Sequence, residues 1–381
     1  MDDDPPSPAP SSSPARPRRG GRSGFTTGAC AAAAARAAAL GVIQGRIPES
    51  VETLLPNGQT VIFAVAESTR SEAWSEAVVI KDAGDDPDCT HGARMTARVR
   101  PLPGAAGEIR LEGGEGVGRV TRPGLGLPVG LAAINPVPRS NIADNLRAAA
   151  GAWLDAHGLE ATLSIPGGEA LARKTLNPRL GIVGGLSILG TSGIVHPYST
   201  AAYKAAVRQS IEAAAALGVE TLVLTTGRRT ERFAMARLPE LPEYCFIQMG
   251  DFIGAALASV AAAVIPRVVV AAMPGKLAKI GQGLDNTHAR KGAVDLAAVA
   301  EAASRAGGGE ETVRQAGEGV TVRHAVDLLA EQGLREAFAA ELAQRALAAV
   351  KKRLPPSLHV EIWAFDFEGT LLASLTEWDH G

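Results

Sequence analysis

The second half of the chain repeats one pattern, a short apolar run that ends in small residues and is followed by a helical stretch. VETLVLTTG at 219–227, YCFIQMG at 244–250 and RVVVAAM at 267–273 are such runs, and HVEIWAF at 359–365 is a fourth. Helical stretches are expected at 200–217, from about 252, over GKLAKI at 275–280, and at about 291–306, 322–332 and 335–352. Strands separated by helices pair in parallel, so this half predicts a Rossmann-like parallel α/β unit. Ligands of such sheets bind beyond the carboxyl ends of the strands. Those ends are Thr225-Thr226-Gly227, Met249-Gly250-Asp251 and Met273-Pro274-Gly275.

The first half has another character. Residues 29–40, ACAAAAARAAAL, form an alanine-rich helix, with Thr26 and Thr27 as candidate caps and Gly41 as the expected stop. Strand-like runs flank Pro56-Asn57-Gly58, a hairpin signal. Further strands are expected at 76–81 and 94–100, and 102–130 is rich in Gly and Pro. This half predicts an α+β unit with antiparallel strands. The chain is therefore α/β overall: a Pro/Ser/Arg-rich tail at 1–21, an α+β domain at 22–155 and a Rossmann-like domain at 156–381. The tail has too few apolar residues to pack and is expected to be disordered.

Charge narrows the partners. Lys and Arg total 38 against 40 Asp and Glu, which argues against nucleic acid held on a broad basic surface. A local cationic pocket remains open. The most apolar stretch, 252–273, is interrupted by Pro266 and Arg267, so no membrane helix is expected. Three scattered cysteines without a CxxC pair fit a reduced cytoplasm and no structural metal. Whether the chain is a homo-oligomer stays open.

Four loops carry more unusual chemistry than packing requires. RSGFTTGACAAAAA at 22–35 places amides at a helix start, where they cap the helix or hold a carboxylate. KDAGDDPDCTHGA at 81–93 crowds Asp82, Asp85, Asp86 and Asp88, a solvated turn or a group that binds a cation or accepts a proton. GIVGGLSILGTSGIVHPYS at 181–199 brackets a strand-like LSIL with glycines, for tight turns or for close approach to a cofactor. GKLAKIGQGLDNTHAR at 275–290 puts Lys276 and Lys279 on one helix face and ends in Thr287-His288. Neither G-x-G-x-x-G nor G-x-x-x-x-G-K-[ST] occurs, which weakens a nucleotide-phosphate enzyme as an alternative.

Taken in order, these segments resemble the cobalt-precorrin-5B C1-methyltransferase family, CbiD. The resemblance runs from about 22 to 295. Its longest stretch is SIPGGEALARKTLNPRLGIVGGLSILGTSGIVHPYS, supported by GEGVGRVTRPGLGLPVGLAAINPVPR, DFIG and the four loops. It implies methyl transfer from S-adenosylmethionine to ring carbon C1 of a polyanionic cobalt-corrinoid, in cobalamin synthesis. Cobalt then enters only with the substrate, and no protein metal site is needed.

On this reading the ring carboxylates fall to Thr26, Thr27, Arg119, Arg122, Arg139, Arg173, Lys174, Arg179 and Lys276. The methyl donor falls to Gly184, Gly185, Gly190, Thr191, Ser192, Gly193 and Asp251. Asp82, Asp85, Asp86 and His288 are candidates to accept a proton. The chain departs from the family pattern at Thr226-Gly227-Arg228, Gly250-Asp251 and Ala272-Met273-Pro274. Those departures motivate the competing expectation, a corrinoid or tetrapyrrole carrier without turnover.

Overall fold

The computed structural model describes residues 21–319 and 321–376. Nearly all of the expected tail lies outside them. The first unit runs β1 (Gly24–Phe25), α1 (Thr27–Gln44), β2 (Ser50–Leu54), β3 (Thr60–Ala64), β4 (Glu67–Arg70), β5 (Ser75–Ile80), β6 (Arg94–Pro103), β7 (Ile109–Gly113), β8 (Arg119–Val120), α2 (Pro136–Ala150), β9 (His157–Ser164), α3 (Gly168–Ala172), β10 (Ile182–Val183) and β11 (Ile194–Val195). Its main sheet has the order β4-β5-β6-β9-β7, antiparallel except for the β7–β9 pair. The sheet therefore takes in β9, which follows the expected division at 155/156. β9 pairs with both β6 and β7 through alternating buried positions.

α1 is the core of this unit. It packs on α2, β5 and β6, and nearly every residue from Thr27 to Ala39 is buried. By length and composition α1 could cross a membrane, yet 72% of its apolar window is buried inside the fold. Methyl side chains let the helix lie close to the sheet. The expected stop at Gly41 is corrected: α1 runs through it and ends at Gly45, whose φ of 73° is left-handed. Gly41 is needed for contact instead, since a Cβ there would sit 2.4 Å from Ile47. The expected hairpin pairs β2 with β3 around Gly58.

The second unit runs α4 (Thr200–Ala216), β12 (Thr221–Thr225), α5 (Arg228–Arg237), β13 (Phe246–Gln248), α6 (Ile253–Ala261), β14 (Arg267–Ala272), α7 (Pro274–Gly281), α8 (Leu296–Arg305), α9 (Glu310–Glu318), α10 (Val322–Glu331), α11 (Arg335–Lys351), β15 (His359–Phe365) and β16 (Leu371–Thr376). Its sheet has the order β13-β12-β14-β15-β16, parallel but for β16. That is a doubly wound α/β sheet, and its strand order reverses between β12 and β14. β12, β14 and β15 are almost wholly buried, as their mostly apolar runs require. The two units meet where Ala213 of α4 packs on Val120, Leu125, Ala133 and Ile182.

Candidate functional site

Two large cavities open around the second sheet. The first, about 1010 Å³, lies between the units. Its walls come from the chain after α3, from α4, from the first turns of α5 and from β13. Arg173, Lys174, Arg179, Arg228, Arg229 and Arg232 line it, against only Glu231 and Glu243. Arg179 is engaged: its Nη1 donates to Glu231 Oε1 at 2.6 Å. Arg173 lies 3.6 Å from Glu169 in an exposed pair. Lys174, Arg228 and Arg232 have no acidic partner among the described residues. The guanidinium of Arg122 lies over Tyr244, a lining residue, at 4.8 Å. The cavity thus carries a net excess of four positive charges beside an aromatic wall.

The second cavity, about 900 Å³, lies beyond the carboxyl ends of β14 and β15. Lys276 and Lys279 of α7 line it with Arg323, Arg335, Asp327, Asp366 and Glu368. Lys276 Nζ donates to Asp251 Oδ1, which also accepts from Thr287 Oγ1 at 3.0 Å. Burial pushes the Asp251 carboxyl up, but the bonds from Lys276 and Thr287 outweigh it and hold it below the usual range. Asp366 pairs with Arg335, and its Oδ1 accepts from the amides of Glu368, Gly369 and Thr370. Phe367 lines the second cavity and contacts a residue of the first. Its ring has the Arg229 guanidinium of the first cavity at 5.6 Å.

The anticipated residues divide sharply. Arg173, Lys174 and Arg179 line the first cavity and Lys276 the second, whereas Arg119 and Arg139 line neither. Arg119 Nη1 donates instead to Gly130 O at 3.1 Å. At the helix start, Thr26 and Thr27 are buried and most of the amides are engaged within the unit. Thr26 N donates to Gly193 O, Gly28 N to Leu189 O, and Ala29 N to Thr26 Oγ1. Thr27 Oγ1 is held by the backbone of Ser187 and Leu189.

Part of the glycine loop covers that helix start, and Gly185 and Gly190 are packing elements of the first unit. A Cβ on Gly190 would stand 2.4 Å from Thr26, and one on Gly185 2.2 Å from Gly116 O. Ser192 Oγ bonds Ile194. Gly184, Gly185, Gly190, Thr191, Ser192 and Gly193 line neither cavity.

The acidic loop is likewise engaged. Arg22 grips Asp82 with both guanidinium nitrogens, its amide donates to Asp85 Oδ2 at 2.6 Å, and Tyr198 N donates to Asp86 Oδ1 at 2.9 Å. These aspartates pin the 22–25 and 194–198 segments together. None lines either cavity, so their placement does not suit proton transfer there. His288 is exposed, with Nδ1 accepting from Arg290 N at 3.1 Å, beside the Thr287 that lines the second cavity. Among the described residues no three His, Cys, Asp or Glu side chains are grouped to hold a metal ion.

Sequence reading missed Arg229, Arg232, Tyr203, Gln248, Arg335 and Asp366. Arg229 and Arg232 follow the carboxyl end of β12, a position already marked by the fold rule. The turn Asp366–Thr370 gave no signal until β15 and β16 were seen to pair antiparallel around it.

Fold and cavities define an α/β protein whose doubly wound unit, with its α+β partner, encloses a cationic small-molecule cavity. The family model for CbiD matches residues 15–197, and that for the CbiD C-terminal domain matches 286–375. A relative from Dechloromonas aromatica (strain RCB), named cobalt-precorrin-5B C(1)-methyltransferase, is 52% identical over 340 residues. The match covers 89% of this chain and 86% of that protein. One of the same name from Methylococcus capsulatus is also 52% identical, covering 89% of each. A crystal structure of the cobalamin biosynthesis protein cbiD from Archaeoglobus fulgidus is 28% identical, covering 68% of this chain and 79% of that one. Its TM-score of 0.37 is too low to bear on the fold. The chain belongs to the CbiD family.

Proposed function

We infer that this chain is a methyltransferase of corrin-ring assembly, moving a methyl group from S-adenosylmethionine to C1 of cobalt-precorrin-5B to give cobalt-precorrin-6A. The observation that carries the reading is 52% identity along 89% of the chain to relatives named for that reaction. The first cavity supports it chemically. A macrocycle fringed with acetate and propionate groups is a polyanion, and guanidinium forks pair with carboxylates through two hydrogen bonds. Lys174, Arg228 and Arg232 are free to do so, and Tyr203 and Tyr244 offer ring faces to the macrocycle.

S-adenosylmethionine supplies an electrophilic methyl on a sulfonium. The sulfur keeps the electron pair of the broken bond, and the ring carbon provides the pair of the new one. That step asks the protein for alignment and exclusion of water more than for a strong nucleophile. The cationic wall holds the acceptor by its rim, between side chains contributed by both units.

Incubation with cobalt-precorrin-5B and methyl-labelled S-adenosylmethionine, followed by mass spectrometry, tests the reading. One labelled methyl at C1 is expected. Binding of the corrinoid with no label transferred would overturn it in favour of a carrier.

A further inference from the structure

We propose that the methyl donor binds in the second cavity, with Lys279 receiving its amino-acid carboxylate. This rests on the transferase reading and adds a site that the glycine loop does not provide. The first support is Lys279 itself. Its residue is only 8% exposed, yet it lines the cavity. It has no hydrogen bond or ion pair among the described residues, whereas Lys276, three residues earlier on α7, is held by Asp251 and Thr287 O. The Lys279 stem is buried while Nζ stays accessible, so a carboxylate in the cavity can pair with it without displacing a protein partner. Burial pushes the Lys279 ammonium down and neighbouring Lys276 pushes it further, against a partial pull upward from the Asp251 carboxylate. An incoming anion acts in the opposite sense.

The second support is charge. A sulfonium is repelled by the first cavity, where six cations face two carboxylates. In the second, Lys276, Lys279, Arg323 and Arg335 face Asp327, Asp366 and Glu368, with Asp251 bonded to Lys276 just behind. The near balance tolerates a zwitterion bearing an extra positive sulfur. The polyanion and the cationic donor are thereby sorted into different cavities.

Shape and position agree. Ligand pockets span roughly 300–1,000 Å³ and are mostly apolar with a few placed polar groups. Val294, Val326 and Leu372 give this one apolar walls for a purine, and the exposed Asp327 and Glu368 can accept from ribose hydroxyls. Met273 and Pro274 follow β14 directly and Phe367 nearly follows β15, so the cavity occupies the strand ends where such sheets take ligands. Phe367, which lines this cavity, contacts Arg229 of the first, so the two cavities lie on either side of one Arg–Phe contact.

Two variants test the site by calorimetry with S-adenosylmethionine and S-adenosylhomocysteine. Lys279→Met removes the charge and keeps the length. It should raise Kd for both ligands by about 10-fold or more, as loss of a charge-assisted hydrogen bond does. Gly275→Leu places bulk in the cavity. Gly275 lines it, and a Cβ there meets no atom within 4 Å, so the backbone need not move. Its Kd should rise at least as much, with the thermal midpoint unchanged. Arg173→Ala, in the other cavity, should leave both Kd values within about twofold.

Wild-type Kd in both folded variants, with methyl transfer by the wild type intact, would overturn this site and leave the function standing. Wild-type protein that binds neither ligand and transfers no methyl would overturn the transferase reading along with it.

Discussion

Arg179 and Glu231 form an ion pair between the two units, Nη1 to Oε1 at 2.6 Å, with Glu231 only 5% exposed at its side chain. Gln248 Nε2 donates to the other carboxylate oxygen at 2.6 Å, and Glu243 lies 3.6 Å from the same arginine. Arg179 comes from the loop after α3 and Glu231 from the first turn of α5. One arginine anticipated as a substrate clamp thus holds the cavity walls together. The Glu231 and Glu243 carboxylates raise its already high pKa against the effect of burial.

Glu231→Ala should therefore act on stability. It leaves a partly buried guanidinium and the Gln248 amide without their acceptor. Breaking such a pair costs about 3 kcal/mol. Chemical denaturation should show that loss, and Arg179→Met in the same background should recover part of it. Equal stability of Glu231→Ala and wild type would mean that water replaces the carboxylate at no cost.

How far the fold was legible follows from how each element is buried. β12, β14 and β15 were readable because strands covered on both faces are dominated by apolar residues, Glu361 of β15 being a buried exception held by Arg267 and Trp363. β9 was not read as a strand at all and fell on the far side of the expected division at 155/156, because one short alternating run, HGLEATLS, does not name its partners. α9 and β16 escaped notice; α9 has only Thr312 and Ala316 buried, so its pattern is weak. Gly41 and Gly45 look alike in sequence, and only packing tells the contact glycine from the helix stop. The same ambiguity holds for the glycine loop. A glycine that admits a ligand and one that admits a threonine have one signature, and the neighbour is decided by a contact 164 residues away, Gly190 on Thr26. The cavity cations were half legible: Arg173, Lys174 and Arg179 lie in the longest resembling stretch, while Arg229 and Arg232 lie in none of the quoted stretches.

Gly190 supplies a direct check on that ambiguity. Its φ is 129°, a region that suits glycine, and an added Cβ would overlap Thr26 at 2.4 Å. Gly190→Ala should lower stability by at least about 2 kcal/mol, from backbone strain plus displacement of the α1 cap. Molecules that remain folded should bind the methyl donor with wild-type affinity. Loss of donor affinity at unchanged stability would return the loop to a cofactor role.

Acid should act through Asp82. Hydrogen bonds from Arg22 and then from Gly84 N–H lower its carboxyl from 3.8 to about 2. A carboxyl depressed on folding adds stability above its unfolded value and loses it as pH falls through the folded one. The wild type should therefore lose stability between about pH 4 and about pH 2. Asp82→Asn should start lower above pH 4 and fall less steeply. The pair is 41–61% exposed, so salt should shrink the difference. Thermal melts from about pH 5 to about pH 2 would show it, and parallel curves for the two proteins would contradict it.

The cationic cavity makes the sharpest functional prediction, because the arginines anticipated from sequence fall on both sides of it. Lys174, Arg228 and Arg232 line it with no acidic partner among the described residues, and Arg173 has only an exposed contact to Glu169. Each can turn to a ring carboxylate without breaking a buried interaction. A charge-assisted hydrogen bond lost on truncation is worth about 1.5–3 kcal/mol, or about 10–150-fold. Arg173→Ala, Arg228→Ala and Arg232→Ala should therefore raise the KM for the corrinoid by about tenfold each, with stability near wild type. The increase should narrow at high salt, since these side chains are exposed. Arg119→Ala and Arg139→Ala, which lie outside the cavity, should leave KM within about twofold. If the outer pair raises KM and the cavity set does not, the substrate lies on the first unit near β8 and the start of α2, and the space between the units serves another purpose.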